Sequence, residues 1–124
     1  SLQYLYVKNN LIRFEGLKAM SAALATMSHT LEVLDISQNQ ICSDSLHELG
    51  RMLVMNNSLK KLLLAFNTPI IYDSGIVLTF AKAIEYNTNL EYLNISDHNE
   101  QLFNDIKYAC SFRPSPLRIR HNSA

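Results

Sequence analysis

The run Asp97-His98-Asn99-Glu100 is the densest cluster of metal-ligating and proton-handling side chains in this sequence. Two carboxylates and an imidazole are donor types that suit a divalent cation. Ligands must converge from spaced positions, however, and these lie together in a turn without partners at a ligand spacing. No metal site is expected there. His29 and His47 fall at a helix end and on a helix surface, and neither suggests chemistry. Cys42 and Cys110 have no evident histidine partner to take a thiol proton, so neither reads as a nucleophile. With three glycines in the whole chain there is no glycine-rich loop to cradle a phosphate. No catalytic residue and no cofactor is expected, and the chain reads as a binding protein rather than an enzyme.

A binding surface has to be positioned by regular elements, and one phrase recurs along the chain to supply them. It reads Leu-x-x-Leu-x-(Val/Ile/Leu)-x-x-Asn. Leu2, Leu5, Val7 and Asn10 spell it first, then Leu31, Leu34, Ile36 and Asn39, then Leu59, Leu62, Leu64 and Asn67. Leu90, Leu93 and Ile95 begin a fourth copy. Leu117, Ile119 and Asn122 fit the second half of a fifth, with Pro114 in the opening slot. Successive starts are 29, 28 and 31 residues apart, and a period of this length is the signature of a stacked-repeat fold.

Each phrase leads through a turn into a helical pattern. Leu17, Met20, Leu24 and Met27 follow Gly16; Leu46, Leu49 and Leu53 follow Ser45; Ile76, Phe80, Ala83 and Ile84 follow Gly75. Apolar residues spaced by three and four mark one helix face. Asp44 and Ser74 are placed to cap helix starts. Asn56, Asn57 and Asn87 stand near helix ends, where the left-handed conformation is often needed. A unit is thus a short strand, a turn and a helix of about three turns, and neither element buries its apolar side until neighbours stack. The asparagine in slot nine can bond backbone groups of adjacent turns that would otherwise be buried unpaired. Asn10, Asn39, Asn67, Asn99 and Asn122 are expected to form this ladder, Asn99 through a one-residue bulge beside His98.

This pattern resembles the leucine-rich repeats. The unit length, with room for a true helix, resembles their ribonuclease-inhibitor-like class. The resemblance covers nearly all of the chain. It implies an α/β solenoid, a curved right-handed β–α superhelix with the parallel sheet on the concave face and the helices on the convex face. It is nearly silent on function, since the family spans ribonuclease inhibitors, Ran GTPase-activating proteins, NOD-like receptor sensors, tropomodulin-type actin cappers and bacterial effectors. Fold-level analogy does not choose among them.

The bulk numbers agree with one folded domain over residues 1–124, at 48% hydrophobic and 18% charged residues. The repeats start near 2, 31, 59 and 90, with a truncated one near 114. The formal net charge is zero, so no general attraction to nucleic acid or anionic lipid is expected. The apolar runs are too short to span a bilayer, and no signal peptide is visible at the start. Two reduced thiols in a cytoplasmic protein is the expected state of Cys42 and Cys110. Asn56-Asn57-Ser58 and Asn94-Ile95-Ser96 match the glycosylation tripeptide but read as parts of the repeat. The third unit carries a two-residue insertion, making the loop from Thr68 to Asp73, in which Ile70 or Ile71 can fill a core slot. The fourth unit is short, with a brief helix from about Asp105 to Ser111, and Pro114 and Pro116 suit an edge. The phrase is already under way at Leu2, as in a fragment of a longer protein.

Alternate strand residues point to opposite faces, so the variable slots carry any function. They place Tyr4, Tyr6, Val33, Asp35, Lys61, Leu63, Phe66, Tyr92, Asn94, Arg118 and Arg120 on the concave face. Lys107, Arg113, Arg118, Arg120 and His121 make the C-terminal end basic. A partly aromatic face of this kind predicts a protein partner, without nucleic acid or membrane. The alternatives are an enzyme regulator such as a GTPase-activating protein, or an architectural segment of a larger receptor, ciliary or cytoskeletal protein.

Overall fold

The computed structural model describes residues 3–7, 14–27, 30–39, 43–65, 74–96 and 100–121. Among them strands and helices alternate: β1 (Tyr4–Tyr6), α1 (Phe14–Met27), β2 (Val33–Asp35), α2 (Ser43–Met55), β3 (Lys61–Leu63), α3 (Ser74–Tyr86), β4 (Tyr92–Asn94), α4 (Glu100–Cys110) and β5 (Arg118–Arg120). The strands form one parallel sheet in chain order. The register is the phrase itself. Leu5, Leu34, Leu62, Leu93 and Ile119 stand opposite one another across all five strands. Strand entry repeats as well. The Gln3 carbonyl accepts the amides of Glu32 and Val33, and Glu32 does the same for Lys60 and Lys61, as does Lys60 for Glu91 and Tyr92.

The phrase leucines meet the helix stripes in one core. Leu34, Leu62 and Leu93 pack in a single cluster with Leu17, Leu46, Leu49, Val77, Phe80, Ile84, Leu102 and Ile106, all fully buried. Each such side chain removed from water contributes about 1.5–3 kcal/mol. Leu5 and Ile119, on the two outer strands, are half-buried.

Asn39 performs the task assigned to slot nine. Its buried side-chain amide donates to the carbonyls of Ile36 and Ser37 in its own turn and of Val7 in the preceding unit, at 3.0, 3.1 and 3.0 Å. Gln38, at φ 56°, takes the left-handed conformation in that turn. Asn10, Asn67, Asn99 and Asn122 lie outside the described residues.

A second ladder, at the helix ends, corrects the reading of Asn56, Asn57 and Asn87. None of the three is left-handed. Asn56 accepts the amides of Ser58 and Leu59 and donates to the Leu24 carbonyl. Asn87 accepts the amides of Asn89 and Leu90 and donates to the carbonyls of Leu53 and Asn56. Both are buried, and both stand three residues before a phrase start. Ser58 adds a 2.7 Å bond to the Leu31 carbonyl.

The fifth copy is shifted. Ile119, not Leu117, pairs with Leu93, so its phrase opens at Pro116 instead of Pro114 and slot nine falls two residues beyond Asn122. The reason lies upstream. Arg113, three residues before Pro116, occupies the place of Asn56 and Asn87 and donates to the carbonyls of Asn87 and Leu90, both at 2.7 Å. Ser115 repeats the role of Ser58, bonding the Thr88 carbonyl. A slip of two leaves every side chain on its face.

Helix limits differ from the sequence reading. The last helix starts at Glu100, five residues before Asp105, because the stripe of Leu102, Phe103 and Ile106 begins ahead of it. Asp44 and Ser74 sit inside the first turns of α2 and α3 rather than before them, where the Asp44 carboxylate favours the positive end of the helix dipole. The insertion loop, with Ile70 and Ile71, lies outside the described residues.

Gly50 is buried in the middle of α2. A Cβ added there meets Ala83 Cβ at 3.6 Å and α3 backbone no closer than 3.8 Å, ordinary contact distances. Gly50→Ala therefore removes unfolded-chain entropy without a clash, and is expected to raise stability by about 0.5–1 kcal/mol. Urea denaturation checks this, and a loss of stability would mean that α2 and α3 pack more tightly than described.

Candidate functional site

The register sorts the outward side chains into two rows. Slot three holds Tyr4, Val33, Lys61, Tyr92 and Arg118; slot five holds Tyr6, Asp35, Leu63, Asn94 and Arg120. Most of them line an open depression of about 780 Å³ across the face of the sheet. Ten of the eleven residues singled out for binding are thus brought together. Phe66 lies outside the described residues.

Their exposure is uneven. Tyr4 and Tyr6 are 51% and 63% exposed, with near-parallel rings 6.4 Å apart. Val33 is buried, contrary to its expected place in an open apolar patch; its row neighbours Tyr4 and Lys61 are longer and flank it. Leu63 and Tyr92 are half-buried. Asp35 and Asn94 have structural work. Each accepts the amide two residues on, Ser37 or Ser96, at 3.0 Å, and so ends its strand with a side-chain turn. The accessible apolar part of the face is concentrated at the β1 side.

The β5 side is cationic. The Arg118 guanidinium stacks 5.2 Å over the Tyr92 ring, and Arg120 is exposed beside it. Other basic residues are placed elsewhere. Lys107 lies 5.8 Å over the Phe103 ring, on which His121 stacks at 4.3 Å. Arg113 does not belong to the basic surface, because it is buried in the helix-end ladder. Burial lowers its pKa, and the neighbouring Cys110 pushes the other way. Cys110 is a free, half-buried thiol whose pKa is raised by burial, with Arg113 pulling against the shift. A raised pKa keeps the thiol protonated, the reverse of an activated nucleophile. Asp97, His98 and Asn99, with Cys42 and His29, lie outside the described residues. His47 is exposed on α2.

Sequence reasoning missed two features. One is the helix-end ladder, whose signal is an asparagine recurring three residues before Leu59 and Leu90. The other is a depression of about 380 Å³ between α3 and α4, where exposed Leu78, Tyr108 and Phe112 meet Glu85 and Asp105. Among the described residues, no helix is long and apolar enough to cross a membrane.

Comparison with known proteins agrees with this geometry. Residues 30–52 and residues 86–99 each match a family model described as Leucine Rich Repeat. No curated protein sequence matches the chain. In three dimensions it is similar to leiomodin-1 actin-binding site 2, with TM-score 0.81 and 18% identity over 98% of this chain and 70% of that one. It is also similar to the C-terminal domain of tropomodulin from Caenorhabditis elegans, with TM-score 0.77 and 14% identity over 100% of this chain and 75% of that one. The matched segments contain the second and fourth copies of the phrase, whose leucines share one row of the sheet. The repeating unit of this chain is the leucine-rich repeat.

Proposed function

We propose that this chain is a non-catalytic, intracellular protein-binding module that engages its partner through the outer face of the sheet. The observation that carries this reading is the pair of exposed tyrosines, Tyr4 and Tyr6, on the same open depression as Leu63, Tyr92 and Arg118. Tyrosine and arginine dominate binding energetics at protein interfaces because each joins a large contact area to a polar end. Stacking geometry supports a concave face. Adjacent strands are about 4.8 Å apart while packed helices need about 8–10 Å, so a row of such units curves with its helices outside. Helices of 13–14 residues in units of 28–31 support the ribonuclease-inhibitor-like class.

Affinity capture from a cytosolic extract tests the reading. Tyr4→Ala/Tyr6→Ala is expected to fold with an unchanged melting profile and to lose a specific retained protein, with affinity falling about ten- to a hundred-fold. The same retained proteins in both samples would mean that the face is not the binding site. A cytoskeletal setting is the second reading, favoured by the shape shared with leiomodin-1 actin-binding site 2 and tropomodulin. Co-sedimentation with filamentous actin separates it from the general one.

A further inference from the structure

We propose that the occupant of the sheet face is an extended acidic segment of the partner, apolar at one end and rich in carboxylates at the other. The proposal rests on the protein-binding reading above and names the chemistry of that partner. Three cations, Lys61, Arg118 and Arg120, stand in the outward rows. Among the described residues the ion pairs are Arg51 with Glu48 and Lys60 with Glu32, so none of the three faces a carboxylate at ion-pair distance. Asp35, the carboxylate of the same rows, is turned onto the Ser37 amide. The face therefore presents a surplus of positive charge on a chain whose formal net charge is zero.

The positions of these groups set the ligand's layout. Arg118 is held over Tyr92 at 5.2 Å, a packing that orders the guanidinium while leaving its N–H edge open to a carboxylate. The stacked Tyr4 and Tyr6 stand at the opposite side of the sheet. Five strands at about 4.8 Å spacing put the two ends about 19 Å apart, a span that about six extended residues cover. A segment laid across the strands thus meets tyrosines first, Lys61 midway and the arginine pair last. A nucleic-acid strand fits less well. Its phosphates would outnumber three cations over that distance and pass the Asp35 carboxylate on β2.

The test is fluorescence anisotropy of the whole chain with labelled synthetic peptides of about eight residues. One carries two aromatic residues, a short spacer and a Glu-Asp-Glu run; the second replaces that run by Gln-Asn-Gln. Single-stranded oligothymidylate is the third probe. At low salt the acidic peptide is expected to bind at least about ten-fold more tightly than its amide counterpart, an advantage that salt erodes. Arg118→Glu/Arg120→Glu should abolish the advantage, Lys61→Glu should reduce it, and Tyr4→Ala/Tyr6→Ala should weaken both peptides alike. Equal binding of the two peptides, an advantage that survives charge reversal, tighter oligothymidylate binding, or no peptide binding at millimolar concentration would each overturn the proposal. If the peptides bind equally but the tyrosine variant weakens both, the protein-binding reading stands and only the acidic partner falls. If the tyrosine variant changes neither, the face itself is the wrong one.

Discussion

Phe80→Ala is expected to destabilise the chain by about 3–5 kcal/mol, the range for emptying a fully enclosed aromatic site. Phe80 is the largest wholly buried side chain among the described residues. It lies in α3, the helix packed on both α2 and α4, so the hole cannot close by moving one neighbour without disturbing another. Domains of this size keep only about 5–15 kcal/mol in hand, and the loss corresponds to about 15 °C or more in Tm. Phe80→Leu, which keeps most of the volume, should cost about 1 kcal/mol. Urea melts of the two variants decide it. An alanine variant that loses no more than the leucine one would mean that the core does not close around this ring.

The second large effect concerns a polar residue. Asn87→Ala is expected to cost about 3 kcal/mol, because it strips partners from the amides of Asn89 and Leu90 and from the carbonyls of Leu53 and Asn56. Each buried group left unpaired costs about 1–3 kcal/mol, less than additively. Asn87→Asp keeps the acceptor but aims a buried carboxylate at two carbonyls, so it should be no better than alanine. The exposed Asn57 next to the other ladder residue is the control, with an expected change within about 0.5 kcal/mol on replacement by alanine. Chemical denaturation compares the three directly, and an Asn87→Ala loss as small as that of Asn57→Ala would show that the ladder contributes little.

What the sequence revealed, and what it hid, follows from how far each signal reaches. The register of the first four strands was legible because one leucine slot must recur at every rung of a parallel sheet, and Leu5, Leu34, Leu62 and Leu93 do recur. The fifth copy was misplaced by two because Leu117 and Ile119 both suit an apolar slot. The decisive residue, Arg113, gives no sign in sequence that it stands in for an asparagine. Helix α4 starts earlier than the sequence reading of Asp105 because its apolar stripe begins at Leu102. The outward rows were legible from strand alternation alone. The burial of Val33 was not, since it depends on the length of its cross-strand neighbours. Nor were the turn-forming roles of Asp35 and Asn94, which compete with any part they take in binding.

The helix-end ladder also bears on how the chain is put together during synthesis. Leu24, in the last turn of α1, gives its carbonyl to Asn56 of the next unit; Leu53 of α2 gives its own to Asn87; and the Asn87 carbonyl, just past α3, is taken by Arg113. Carbonyls at the ends of α1, α2 and α3 thus take a donor from the following unit, about thirty residues further along the chain. A chain emerging from the ribosome exposes its earlier units first. The ends of α1, α2 and α3 therefore wait, open to water, until the following unit has been made and folded against them. The stack closes one repeat behind translation, and the reach of a single arginine closes the end of α3.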